Sequence, residues 1–261
     1  MTSPDPTDLK HAAAQALACL DLTRLNDGDT EADIERLCER AQSRFGPVAA
    51  VCVWPRFAAQ ARQCLPATIG VAAVANFPEG STDVQRTLRD VGQIADAGAQ
   101  EVDVVLPWQA LLAGDAAAAT AVLAAARRAS AGLTLKVILE TSMLGGVEAI
   151  AQASRLALAE GADFLKTSTG KVPGGATPEA ARVLLAAIAA EPAAAGRVGF
   201  KASGGVRSVA DAALYLQLTA EALGESACVP ARFRIGASGL LDDIEAVLSG
   251  QAPPGAPAGG Y

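Results

Sequence analysis

The chain has 261 residues, 51% hydrophobic and 19% charged, with 28 acidic against 21 basic side chains and a formal net charge of −7. That length supports one large core, and an acidic balance without a basic stripe argues against nucleic-acid binding. No apolar run approaches the ~18 residues of a membrane-spanning helix.

Residues 1–10 are polar and hold no signal-peptide apolar segment, so a cytoplasmic location is expected. The five cysteines, Cys19, Cys38, Cys52, Cys64 and Cys228, are odd in number and lack CxxC spacing. They read as free thiols in a reducing compartment, with neither disulfides nor zinc. His11 is the only histidine, which makes a Ser-His-Asp triad or a histidine metal site a poor fit.

Taken in order, residues 16–22 are a mostly apolar run ending at Asp21 and read as a first strand. Thr30-Glu31-Ala32-Asp33 fits a capping box and opens a helix to about residue 41. Residues 47–53 read as a second strand, stopped by Pro55. Residues 68–75 form a third, followed by Asn76-Phe77-Pro78. Ser81 is a candidate cap for the helix carrying Val84, Leu88, Val91 and Ile94. Residues 101–106 are the fourth strand, and the alanine-rich stretch 108–129 reads as helical. Residues 133–139 are the fifth strand, followed by a helix over 145–160 with Gly161 at its end. The sixth strand runs into Lys166-Thr167-Ser168-Thr169-Gly170-Lys171, and Thr177-Pro178-Glu179 starts the next helix. Residues 197–202 are the seventh strand, and Ser208 and Asp211 make a second capping box. Residues 231–236 are the eighth strand and 241–248 the closing helix.

Alternating strands and helices imply a parallel sheet, and eight repeats in about 250 residues fit a closed (β/α)8 TIM barrel. The fold class is therefore α/β, one domain over residues 1–250, with an open doubly wound sheet as the alternative. Residues 251–261, rich in Pro, Gly and Ala, read as a flexible tail.

Three strands carry a lysine, Lys136, Lys166 and Lys201, and a fourth carries Asp103. Lysine is among the residues least often buried, because its ammonium is costly to desolvate. Each lysine is then either a structural ion pair or a working amine. An amine is a nucleophile only when neutral, and at a pKa of ~10.4 about 0.04% is neutral at pH 7. Burial and a neighbouring cation both lower that pKa, and strands ~4.8 Å apart place Lys166 and Lys201 close enough to couple. Asp21, Asn76, Asp103, Lys136, Lys166, Lys201 and Ser238 fall on or just after strands, at the end where such barrels carry active sites. Gly204-Gly205 after strand seven and Gly236-Ala237-Ser238 after strand eight occupy the usual phosphate-binding loops, and Gly170-Lys171 adds a cation nearby. Plain turns are the competing reading of these glycines.

Phe164-Leu165-Lys166-Thr167-Ser168-Thr169-Gly170-Lys171 resembles the Schiff-base signature of the deoxyribose-phosphate aldolase family. Glu101-Val102-Asp103-Val104-Val105 is similar to its acidic strand. Gly199-Phe200-Lys201-Ala202-Ser203-Gly204-Gly205-Val206-Arg207 is similar to its second-lysine motif. The likeness runs in the same order from about Asp21 to Ser238. It implies a class I aldolase without metal or cofactor, cleaving 2-deoxyribose 5-phosphate to acetaldehyde and glyceraldehyde 3-phosphate. Lys166 would form the imine, Lys201 would depress its pKa and Asp103 would relay protons. Asp21 and Lys136 would line the substrate site, and Gly170, Lys171, Gly204, Gly205, Gly236 and Ser238 would hold the phosphate. Gly239 stands where family members often have a second serine, and Tyr261 is a candidate proton relay. The implied partners are a small sugar phosphate and acetaldehyde, with neither nucleic acid nor membrane, and a homodimer is the candidate assembly. Another Schiff-base aldolase or a non-catalytic phosphate-binding barrel are the rival readings. Cys52, on strand two, is the expected target of electrophilic aldehydes.

Overall fold

The computed structural model describes residues 6–250. Tyr261 and the tail expected over 251–261 lie outside the described residues. Eight parallel strands close into a barrel: β1 Leu20–Thr23, β2 Ala50–Val53, β3 Gly70–Ala75, β4 Glu101–Val105, β5 Thr134–Ile138, β6 Phe164–Lys166, β7 Gly199–Ser203 and β8 Phe233–Ala237. Each pairs with its sequence neighbours, and β8 pairs back onto β1, Asp21 opposite Gly236. The open doubly wound sheet is thereby excluded. A small antiparallel hairpin, Gln42–Ser43 with Gly46–Pro47, precedes β2.

Around the barrel lie α1 Pro6–Ala18, α2 Glu31–Arg40, α3 Ala58–Cys64, α4 Val84–Asp96, α5 Trp108–Leu112, α6 Ala116–Ala129, α7 Val147–Ala159, α8 Pro178–Ala190, α9 Pro192–Ala195, α10 Val209–Leu223 and α11 Leu240–Ser249. The expected capping boxes form: Thr30 with Asp33 opens α2, and Ser208 with Asp211 opens α10. Three expectations change. Residues 16–18 close α1, and the strand starts only at Leu20, because an alanine-rich run is a strong helix former. The helical stretch over 108–129 is interrupted at Gly114, whose φ of +84° a helix does not accept, and so forms α5 and α6. Asp83, not Ser81, caps α4 by accepting from the Arg86 N–H. Ser81 instead bonds the Asn76 side chain at the end of β3.

The aliphatic core fills the layer between strands and helices. Inside the barrel the strands differ. Cys52, Ala72, Val74, Val105 and Ile138 form one apolar wall together with Leu25 and Phe77. The charged residues described next form the other. A Cβ on Gly199 would collide with the Phe164 ring, so this glycine makes room for an aromatic residue in the barrel interior.

Candidate active site

Alternation along a strand sends every second side chain inward. The register puts Lys166 opposite Lys201, Lys201 opposite Arg234, and Asp103 opposite Lys136. The interior is thus loaded with charge. Asp21, Asp103, Lys136 and Lys201 are fully buried, and Lys166 is 2% exposed. Lys166 ends its strand, whereas Asp103, Lys136 and Lys201 sit mid-strand, so the cluster lies below the barrel rim rather than at strand ends.

Asp103 is its hub. Its Oδ2 accepts from Lys166 Nζ at 2.7 Å and from Lys201 Nζ at 2.8 Å, and its Oδ1 from Lys136 Nζ at 2.8 Å. Lys201 Nζ also donates to Asp21 Oδ2 at 2.5 Å. Lys136 Nζ meets Glu101 Oε2 at 2.5 Å and Asp21 Oδ2 at 3.6 Å. Gly236, expected to hold phosphate, has a second task. A Cβ there would lie 3.0 Å from Lys201 Cε, so glycine keeps the lysine stem's path open.

These contacts set the protonation states. Burial raises the pKa of Asp103, but the ammoniums of Lys136, Lys166 and Lys201 outweigh it and hold this carboxyl well below the usual range. Asp21 follows the same pattern with Arg234, Lys201 and Lys136. Burial pushes Lys201 down, yet Asp103 and Asp21 carry it net upward, so it stays an ammonium. Lys166 moves the other way. Burial lowers it, the Asp103 carboxylate opposes, the Lys201 charge lowers it further, and the net direction is down. Lys166 has one carboxylate partner where Lys201 has two.

The segment after Lys166 is fixed by four hydrogen bonds to the hydroxyls of Thr167 and Thr169. Thr167 Oγ1 donates to the Ser203 carbonyl and accepts from the Ser203 N–H. Thr169 Oγ1 donates to Glu140 Oε2 at 2.5 Å and accepts from the Lys171 N–H. Burial pushes the Glu140 carboxyl upward.

Above lies a cavity of about 570 Å³ that brings Gly170, Lys171, Gly204, Gly205, Gly236 and Ser238 together. Gly170, Gly204 and Gly205 have φ of +76°, +85° and +84°, a left-handed region that glycine reaches without a Cβ penalty. Gly239 starts α11 without a side-chain cap, which leaves first-turn N–H groups for an anion. Lys171 Nζ donates to the Leu25 carbonyl at 2.6 Å, tying this edge to the loop after β1. Thr23, Arg24, Asn26 and Arg207 also line the cavity, and the sequence reading did not mark them as site residues. Arg207 alone carried a signal, as the cation directly after the Gly-Gly turn and before the α10 cap.

Cys52 corrects an expectation. It is fully buried, 3.9 Å from Asp103 Oδ2, and its pKa rises to about 11, through burial first. Cys64 is the exposed thiol among the described residues. Among those residues, too, no group of three or more His, Cys, Asp or Glu side chains is disposed to hold a metal ion, and no helix is long and apolar enough to cross a membrane.

Residues 15–243 match the family described as DeoC/LacD family aldolases. The chain is 46% identical over 253 residues to a deoxyribose-phosphate aldolase of Agrobacterium fabrum, covering 96% of each. Among solved structures it superposes with a TM-score of 0.85 on a Toxoplasma gondii protein assigned as a deoxyribose-phosphate aldolase, at 24% identity over 95% of this chain and 98% of that one. A Coccidioides immitis protein with the same assignment gives 0.78 at 27% identity, over 94% and 88%.

Proposed function

This chain belongs to the DeoC/LacD aldolase family, and from that premise we propose how its residues carry the reaction. It is a lyase that reversibly cleaves 2-deoxy-D-ribose 5-phosphate to acetaldehyde and D-glyceraldehyde 3-phosphate. The observation that carries the residue assignment is the sharing of one Asp103 oxygen by Lys166 and Lys201, with the net lowering falling on Lys166.

Neutral Lys166 attacks the substrate aldehyde carbon, and loss of water gives an iminium. The iminium draws electrons from C2. When the C3 hydroxyl loses its proton, the C2–C3 bond breaks and leaves an enamine, which takes a proton at C2 and is hydrolysed to acetaldehyde. Asp103, held far below the usual carboxylate range, is itself a weak base. It orients the water that moves these protons and balances the iminium charge. Lys136, two residues deeper along its strand than the level of Lys166, acts through Asp103 rather than on the substrate hydroxyls directly. Asp21 keeps Lys201 charged. Gly170, Lys171, Gly204, Gly205, Gly236 and Ser238 surround the 5-phosphate, chiefly through backbone N–H groups. The apolar wall of Val74, Val105 and Ile138 dries the side of the barrel away from the charges.

Residues 1–250 form the aldolase barrel in this reading. Its place is deoxyribonucleotide catabolism in the cytoplasm, as a homodimer. The final residue, Tyr261, is a proton relay for the enamine in the same reading. Borohydride reduction with acetaldehyde, followed by peptide mass mapping, tests the central assignment. An ethyl group on Lys166 is expected, and an adduct on Lys136 or Lys201, or on none, overturns it.

A further inference from the structure

Arg234 is a buried cation that the reaction scheme leaves idle. It sits second in β8, toward the barrel end opposite the phosphate loops, and is 7% exposed. Its Nη1 donates to Asp21 Oδ1 at 2.5 Å, its Nη2 to Glu101 Oε1 at 2.7 Å and its Nε to the Pro230 carbonyl at 2.5 Å. Its guanidinium also lies 5.7 Å from the Phe164 ring centroid. Both carboxylates are bridges. The other oxygen of Asp21 accepts from Lys201, the other oxygen of Glu101 meets Lys136, and both lysines converge on Asp103 beside Lys166.

The cluster holds four cationic side chains, Lys136 on β5, Lys166 on β6, Lys201 on β7 and Arg234 on β8. It holds three carboxylates, Asp21 on β1 and Glu101 and Asp103 on β4. The other titratable groups near Lys166 lie outside these direct ion pairs. Cys52 on β2 is a thiol pushed up to about 11, and Glu140 after β5 accepts from the Thr169 hydroxyl and pairs with no lysine of the cluster among the described residues. β3 contributes only apolar side chains to the interior, Ala72 and Val74. An uncompensated charge in such an interior is expensive. The cluster balances when one cation sheds a proton. Arginine does not do so, Lys136 and Lys201 each face at least two carboxylates, and Lys166 faces one.

We propose that Arg234 is a positioning residue for the amine chemistry: clamped between Asp21 and Glu101, it supplies the cation that leaves Lys166 as the surplus member of the cluster. This rests on the reading of Lys166 as the imine-forming lysine. Arg234 acts through two links on each side, Asp21 to Lys201 and Glu101 to Lys136, without touching the substrate.

The test is the pH dependence of kcat/KM for 2-deoxyribose 5-phosphate in the full chain, with borohydride trapping alongside. Arg234→Met should move the acid limb alkaline by a unit or more, a loss of about tenfold per unit near pH 7, with recovery at high pH. Arg234→Lys, which keeps the charge, should retain the limb of the unmodified protein. Glu101→Gln removes a carboxylate instead and should move the limb toward acid. Arg234→Met with Glu101→Gln removes the pair as a unit and should restore it. If Arg234→Met does not fold, the Glu101→Gln limb decides. Unmoved limbs, with Lys166 still trapped by acetaldehyde, overturn the role of Arg234 alone. No Lys166 adduct in the unmodified protein overturns the underlying reading instead.

Discussion

Inside the barrel, three lysine side chains from three adjacent strands surround one carboxylate, and every partner is a side chain. At the rim, the cavity about 570 Å³ in volume is walled by five glycines, with Ser238, Lys171 and Arg207 beside them. The two regions handle charge by different means. The interior matches each ion with a counter-ion, because a buried charge has no other remedy. In the proposed reading the rim offers an anion the backbone N–H groups of its left-handed glycine turns, with Lys171 and Arg207 beside them. Damage to the interior should therefore alter protonation and kcat, and damage to the rim should alter recognition of the phosphate.

The largest effect should come from Lys166→Met. It removes the nucleophile, so turnover should vanish at every pH without alkaline rescue. It also leaves three cations facing three carboxylates, so the melting temperature should hold or rise. Inorganic phosphate should still stabilise this variant thermally if the rim is independent, and loss of that stabilisation would tie the two regions together.

Acid should break the interior as a whole. Asp21 and Asp103 have folded pKa values below their unfolded ones near 4. Their stabilisation is present above that value and is lost as pH falls through and below it. The melting temperature should drop as pH falls below about 4. A level curve down to about pH 3 would show that these carboxylates are not preferentially charged in the fold.

Lys201→Leu separates tuning from scaffolding within the interior. A rise of about two units in the Lys166 pKa would cost roughly a hundredfold in neutral amine at pH 7. The pH–rate profile should shift alkaline, with partial rescue near pH ~9. Asp21 and Asp103 each lose a partner, so destabilisation of about 3–5 kcal/mol is expected in the same protein. A folded variant with low activity and an unshifted profile would remove the tuning role.

The smallest effect concerns the rim. Gly175 has a φ of +76°, and a Cβ on it would lie 2.5 Å from the Gly204 carbonyl oxygen, whose partner is the Ala176 N–H. Gly175→Ala should push the Gly204-Gly205 turn outward at a cost of about 1–2 kcal/mol. KM for the phosphorylated sugar should rise about tenfold, while turnover of unphosphorylated 2-deoxyribose and the pH profile stay put. A shifted pH profile would mean that the rim also sets the amine.

Much of this was legible along the chain. Strand–helix alternation pointed to the barrel, the capping boxes at Thr30 and Ser208 located two helix starts, and the three strand lysines with Asp103 marked the interior cluster. The misreadings are local as well. Residues 16–18 are apolar and short, a pattern that fits helix or strand, and the structure uses them to end α1. Asp83 and Ser81 are both good caps, and the choice fell to the side chain not already engaged by Asn76.

What the sequence determined by itself is which residues point inward, because strand periodicity is a two-residue rule that any short segment states completely. Which inward groups meet is decided by barrel closure. Lys201 finds Asp21 across 180 positions, and Arg234 finds Asp21 across 213, only because β8 pairs with β1 in one register. The lowered pKa of Lys166, set by burial first and by the Lys201 charge after the opposing Asp103, belongs to that closed ring. No single strand contains it, since the energy of a buried charge depends on every neighbour packed around it.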